Sequence, residues 1–274
     1  MTTYPSELYL QDFHARAAGA TRRAFAHLRA RSATADYASS YDALAAVVPR
    51  ASGARTVLDL ACGDGPLLER LAVRDPSLRL IGVDMSEGEL DAARAVLPAH
   101  VTLLRERAQQ LSIGTGTIDA VLAHMALMLM EDIDAVIGEI RRVLKPGGTF
   151  AAIVGRAFLL GDADRIFMDV FMPIAREALP PLPFGDARAD TPEGWVGLLE
   201  AHFDDIRFED FDIAWTPTPD ALWDSLLETY DIDRLPAAPR ERLRTQLVAA
   251  LTPLLRDGRL QTGWGVRLIR ARAK

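Results

Sequence analysis

Residues 57–71 read VLDLACGDGPLLERL. An apolar run halts on Asp59, and Gly63 and Gly65 follow before a helical pattern begins. Glycine at those positions permits a tight turn with positive φ and lets a ligand approach the backbone. The helix that follows points its free N–H groups and the positive end of its dipole into the same space. Asp59 stands at the carboxyl end of a predicted strand, the edge where open α/β sheets bind ligands. A carboxylate there is poorly hydrated and calls for a cationic or hydrogen-bonding partner. Asp84 ends the next apolar run, 19 positions after Gly65. An acid at that place is suited to accept both hydroxyls of a ribose.

Which nucleoside this site takes is narrowed by what is missing. The segment Gly63-Asp64-Gly65-Pro66-Leu67-Leu68 lacks the third glycine of a dinucleotide fingerprint. Asp59 and Asp64 would repel a pyrophosphate. No G-x-x-x-x-G-K-[ST] run occurs, which excludes a P-loop. A ligand without phosphates and with a cationic end fits better.

Around this turn the chain alternates short apolar runs with helical patterns. Residues 56–62, 78–84, 101–105, 118–124 and 149–155 read as strands, continuously apolar as strands buried on both faces are. Helices are predicted at 65–74, 86–96 and 132–144, the second opened by a Ser86/Glu89 capping box. This alternation predicts a doubly wound, mostly parallel sheet with helices on both faces. Residues 1–50 read as helical. Beyond 155, residues 158–179 read as strongly apolar on one side, 179–190 as a loop, and helices are predicted to open at Thr191-Pro192 and Thr218-Pro219. Strands at 206–215 and 263–272 flank a further helix near 239–256. The domain organisation read from this is a helical lid at 1–50, a core at 51–155, a cap insertion at 156–190, and the rest of the core at 191–274 with a helical insertion at 216–262.

Composition narrows the function classes. The 274 residues carry a net charge of −7, which argues against a nucleic-acid partner. Nearly all the basic residues are arginine; Lys145 and Lys274 are the only lysines. No apolar run is long enough for a membrane span, and MTTYPSELYLQDF lacks the features of a secretory signal, so a cytoplasmic protein is expected. The single cysteine, Cys62, forms no intramolecular disulfide, and no metal-ligand spacing recurs, so no metal is expected.

Asp59-Leu60-Ala61-Cys62-Gly63-Asp64-Gly65 resembles motif I of class I (Rossmann-like) S-adenosylmethionine-dependent methyltransferases, D/E-x-G-x-G-x-G, with Ala61 replacing the first glycine. Val83-Asp84-Met85-Ser86 resembles the family's ribose-binding segment. Ile118-Asp119-Ala120-Val121 resembles its fourth strand, and Leu144-Lys145-Pro146-Gly147-Gly148 its turn before the fifth. The four motifs together cover about residues 55–155 in the family's order.

The resemblance implies a seven-stranded, mostly parallel α/β sheet whose last strand is antiparallel, with a helical cap from the N-terminus and the insertions. It implies S-adenosylmethionine as cofactor and S-adenosylhomocysteine as product. The wall would comprise Asp59, Ala61, Gly63, Gly65, Asp84 and Met85, with Asp59 on the amino group and Asp84 on the ribose. The acid the family often carries after strand three is replaced by Arg107, which moves the adenine contact to Ala108 and Gln109. Tyr9, Arg23 and Tyr41 are candidates to cover the cofactor. His124 ends the fourth strand and should face the cleft, as a general base, as a substrate-orienting group, or packed against the cofactor. His14, His27 and His100 read as surface residues.

The function implied is methyl transfer to a small, partly apolar acceptor, in natural-product biosynthesis, by a monomer or homodimer. The acceptor cap would draw on Phe158, Leu159, Phe167, Phe171, Met172, Phe184, Trp223 and Tyr230. The alternatives are a cofactor-binding cyclase that transfers no methyl group and a non-catalytic cofactor-binding protein.

Overall fold

A computed structural model describes residues 4–50 and 55–274. Residues 51–54, where the core was expected to begin, lie outside the described residues, as do residues 1–3. In chain order the elements are α1 (Pro5–Arg16), α2 (Ala20–Phe25), β1 (Ala30–Arg31), β2 (Asp36–Tyr37), α3 (Ser40–Ala46), β3 (Thr56–Leu60), α4 (Pro66–Arg74), β4 (Arg79–Asp84), α5 (Glu87–Val96), β5 (Thr102–Arg105), β6 (Ile118–His124), α6 (Ile133–Val143) and β7 (Leu144–Ala157). There follow α7 (Asp162–Ala178), α8 (Pro192–Leu199), β8 (Phe203–Trp215), α9 (Pro219–Leu226), α10 (Tyr230–Asp233), α11 (Ala237–Leu251) and β9 (Thr262–Ala273).

The strands form one sheet in the order β2-β1-β8-β9-β7-β6-β3-β4-β5. The run β5-β4-β3-β6-β7 is parallel, and β9 lies antiparallel to both β7 and β8. The expectation of seven mostly parallel strands needs correction: among the described residues the sheet has nine strands and is mixed. The two extra strands come from the N-terminal region, where only helices were expected. They form a hairpin of two residues per strand that pairs Ala30 with Ile213 and Arg31 with Asp212 at the outer edge of β8. Strands this short carry no periodicity to read.

Burial follows the pleat. Val57 and Leu58 are both fully buried, yet they pack into different cores on opposite faces of the sheet. One face receives Leu67, Leu68 and Leu71 of α4. The other receives Ile133, Val136, Ile137, Ile140 and Val143 of α6, an i, i+3, i+4, i+7, i+10 stripe. Each such side chain contributes about 1.5–3 kcal/mol on burial.

Thr191 and Thr218 cap α8 and α9 through their side chains, accepting from the Gly194 and Ala221 amides. The Ser86 cap is only half of the expected box. Ser86 Oγ accepts from the Glu89 amide, but the Ser86 amide donates to Asp84 Oδ1, which leaves the Glu89 carboxylate for another use. The Leu144–Gly148 segment, expected as a helix end and turn, is the irregular start of β7. Leu144 pairs with Ile118, then the register shifts so that Thr149 meets Ala120.

Strand order reverses at β3, which has β4 on one side and β6 on the other. A crevice opens at the carboxyl ends of these strands, as open α/β sheets require.

Candidate active site

The turn after β3 is held from several directions. Ala61, Gly63 and Gly65 all have positive φ, at 59°, 53° and 84°. The Gly63 amide donates to Asp84 Oδ2 at 2.9 Å, and the Ser86 amide donates to Asp84 Oδ1 at 2.9 Å. Asp84 therefore stands fixed at the crevice wall, with lone pairs remaining on both oxygens. Burial pushes its carboxyl upward, against these two hydrogen bonds.

Asp59 is 2% exposed and has no hydrogen-bonding partner among the described residues, although it lines the crevice. Burial, and then the nearby Asp84, raise its carboxyl well above the usual carboxylate range. A buried acid without a partner, facing a cavity, is a place for a cation. That observation fits the ammonium group of an amino-acid-bearing ligand, and Asp84 fits a diol.

The crevice holds about 120 Å³. Of the residues expected at the cofactor, Asp59, Ala61, Gly63, Asp84, Met85, Ala108, Gln109, His124 and Tyr41 line it together. His124 is buried, with Nε2 2.9 Å from Ser40 Oγ and no partner for Nδ1 among the described residues. Its ring stacks on Tyr41 at 3.8 Å between centroids. Burial, and then Arg70, lower the imidazole to about 3, so it is neutral near pH 7 and weakly basic.

A second cavity of about 610 Å³ adjoins the crevice. Its wall is aromatic and sulfur-bearing: Phe25, Phe158, Phe167, Phe171 and Trp264, with Met128, Met168 and Met172. Thr21, Met125, Leu129 and Tyr230 line both spaces and mark their junction.

Residues 57–148 match the family model described as "Methyltransferase domain". The demethylmenaquinone methyltransferase of Symbiobacterium thermophilum is 38% identical over 103 residues, covering 35% of this chain and 41% of that protein. The first relatives matched are thus spanned over less than half their length. The demethylmenaquinone methyltransferase of Thermus thermophilus is 32% identical over 171 residues, covering 61% of this chain and 70% of that protein. The chain belongs to the class I S-adenosylmethionine-dependent methyltransferases. At the level of fold, it resembles phosphoethanolamine N-methyltransferase 2 of Haemonchus contortus in complex with S-adenosyl-L-methionine. The TM-score is 0.52 at 17% identity, over 85% of this chain and 52% of that one.

Within this methyltransferase frame, three expected cofactor contacts sit elsewhere. Gly65 is absent from the crevice lining; a Cβ there would lie 2.7 Å from Leu97, so its glycine serves the turn and the packing beneath it. Tyr9 Oη donates to Asp233 at 2.9 Å, and its ring packs against Phe13, Phe184 and Tyr230. Arg23 is half-exposed and pairs with Glu228 at 2.8 Å, drawn outward by that carboxylate. Trp223 of the expected cap is buried in the core and lines neither cavity.

The lid over the crevice rests on Glu7, which the sequence reading missed, and on Arg22 and His14 of the expected N-terminal cover, through partners that reading did not find. Glu7 of α1 accepts from Arg107 at 2.6 Å and from Gln109 Nε2 at 3.2 Å. An acid does stand beside the segment after β5, but it arrives from the N-terminus. Arg22 donates to Asp64 and, at 2.7 Å, to Glu69, clamping α2 onto the glycine turn. His14, expected at the surface, lines the crevice and bridges Glu89 and Tyr230. These partners lie 42 to 216 positions apart, and no local pattern announces them.

Proposed function

We propose that this methyltransferase transfers a methyl group from S-adenosylmethionine to a small, flat, largely apolar acceptor bound in the aromatic chamber. The observation that carries this reading is the junction of the two cavities at Thr21, Met125, Leu129 and Tyr230. Asp59 would hold the cofactor's amino group and Asp84 its ribose, with Ala108 and Gln109 beside the adenine. When bound, the cofactor supplies an activated methyl group on a sulfonium.

The protein's own part is positioning and exclusion of water, which together account for much of such a rate. Aromatic side chains offer a planar ring offset-stacked and edge contacts, and the four methionines adapt to its substituents. His124 is neutral, stacked and tied to Ser40, so its role is to shape the crevice wall. The relatives whose names specify demethylmenaquinone support a ring acceptor. The apolar wall of Phe158, Phe167, Phe171 and Trp264 supports a small apolar acceptor, and we extend the reading to natural-product biosynthesis.

The test is incubation with methyl-labelled cofactor and a panel of phenols, quinols and aromatic amines. Label in a product, with S-adenosylhomocysteine released in equal amount, is expected. Conversion of an acceptor without label would contradict methyl transfer and favour a cyclase.

A further inference from the structure

Tyr230, His14 and Glu89 form a continuous hydrogen-bonded chain where the two cavities meet. Tyr230 Oη lies 3.1 Å from His14 Nε2, and His14 Nδ1 lies 2.7 Å from Glu89 Oε1. Glu89 is 3% exposed, and its other oxygen accepts from the Gly19 amide at 3.0 Å. A carboxylate only accepts hydrogen bonds, so Nδ1 of His14 carries the proton facing it. In the neutral imidazole Nε2 is then the acceptor, and Tyr230 Oη donates to it. The tyrosine ring is fixed by Phe13 at 4.9 Å and Phe184 at 5.7 Å between centroids. The three residues come from α10, α1 and α5, and His14 and Glu89 line only the cofactor crevice, whereas Tyr230 lines both cavities.

We propose that Tyr230, backed by His14 and Glu89, is the catalytic residue that takes the proton from a hydroxyl acceptor. This rests on the methyl-transfer reading and deepens it, since it assigns the acceptor a protic oxygen. As the acceptor O–H bond breaks, its proton passes to Tyr230 Oη while the Tyr230 proton passes to His14 Nε2. The electron pair freed on the acceptor oxygen forms the new bond to the methyl carbon. The carbon–sulfur pair stays on sulfur, which becomes neutral. The positive charge ends on the His14 imidazolium, against Glu89, and leaves as a proton to solvent. Burial raises the Tyr230 phenol, with help from Glu89 and Asp84, so the residue holds its own proton until the relay moves it on. His14 and Glu89 act through Tyr230 and are positioning residues.

The test compares two acceptors in the full chain: a simple phenol, protonated at neutral pH, and a nitrophenol acidic enough to be ionised there. Tyr230→Phe keeps the ring packing and removes only the hydroxyl. For the phenol it should lower kcat about 100-fold, the scale of general base catalysis. Cofactor affinity by calorimetry and acceptor KM should stay within about twofold, as for an interaction made only in the transition state. For the nitrophenol, kcat should not change. Glu89→Gln should lower phenol turnover in the same acceptor-selective way. Imidazole ¹⁵N spectra of the wild-type chain should show His14 as the Nδ1–H tautomer. Equal loss with both acceptors, wild-type turnover in Tyr230→Phe, or an Nε2–H tautomer would overturn the relay while leaving methyl transfer intact. A wild-type chain that transfers no label to any acceptor would overturn both.

Discussion

The two cavities are built in opposite ways. The acidic floor of the crevice is shaped by neighbours in sequence, with Asp59, Ala61 and Gly63 within one turn and Asp84 on the adjoining strand, while its lid comes from α1 and α2. The aromatic chamber is assembled from α2, β7, α7, α10 and β9, elements spread over most of the chain. The crevice presents buried acids that cost stability, whereas the chamber presents rings that are also part of the main core. The contrast teaches where each function can be altered. Removing a crevice acid should weaken binding without a loss of stability, whereas changes at the chamber should weaken folding and binding together.

The largest effect expected from this contrast is at Phe167, which is 3% exposed and stacks on Phe171. Phe167→Ala should cost about 3–5 kcal/mol of stability, because it opens a void in the core as well as enlarging the chamber. Denaturant unfolding measures this; a loss below about 1 kcal/mol would separate chamber from core. Next, Asp84→Ala should weaken cofactor binding by about 1.5–3 kcal/mol, the scale of charge-assisted hydrogen bonds. Its effect on the acceptor KM should be slight, and calorimetry with steady-state kinetics reads the two separately.

Asp59→Asn should separate binding from stability. The raised carboxyl means the unfolded chain binds fewer protons than the folded one above the ordinary value of 3.8. Stability without ligand should therefore fall as pH rises from there through the raised value. Asp59→Asn should remove that slope and stabilise the ligand-free protein by about 1–2 kcal/mol near neutrality, while cofactor affinity drops. Thermal unfolding across pH checks the sign; a variant less stable than wild type at pH 7 would count against it. The smallest effect belongs to Arg23→Ala. Loss of its half-exposed pair with Glu228 should change stability by about 0.2–1 kcal/mol and leave cofactor affinity unchanged.

The same contrast explains what could be read in advance. Asp59, Gly63 and Asp84 could be placed together at the crevice because strand end, turn and second strand end follow one another at fixed spacing. The parallel strands were legible because both-face burial leaves continuous apolar runs. The chamber's phenylalanines and Trp264 read only as scattered apolar residues, since their grouping depends on how α7 and β9 fold back. Glu7 with Arg107, and Glu89 with His14 and Tyr230, were hidden for the same reason: each pairing spans 75 positions or more. The β1–β2 hairpin escaped because strands of two residues have no alternation to detect. Glu89 carried a cap signature, and its carboxylate went to His14 and Gly19 because Asp84 had already taken the Ser86 amide.

Titrating the wild-type chain with S-adenosylhomocysteine in two buffers of different ionisation enthalpy tests most directly whether these paired acids form a seat for an adenosyl amino acid. One ligand per chain should bind, with a proton released at pH values between the usual carboxylate range and the raised value of Asp59. No binding, or preferential binding of a nicotinamide dinucleotide, would contradict the assignment.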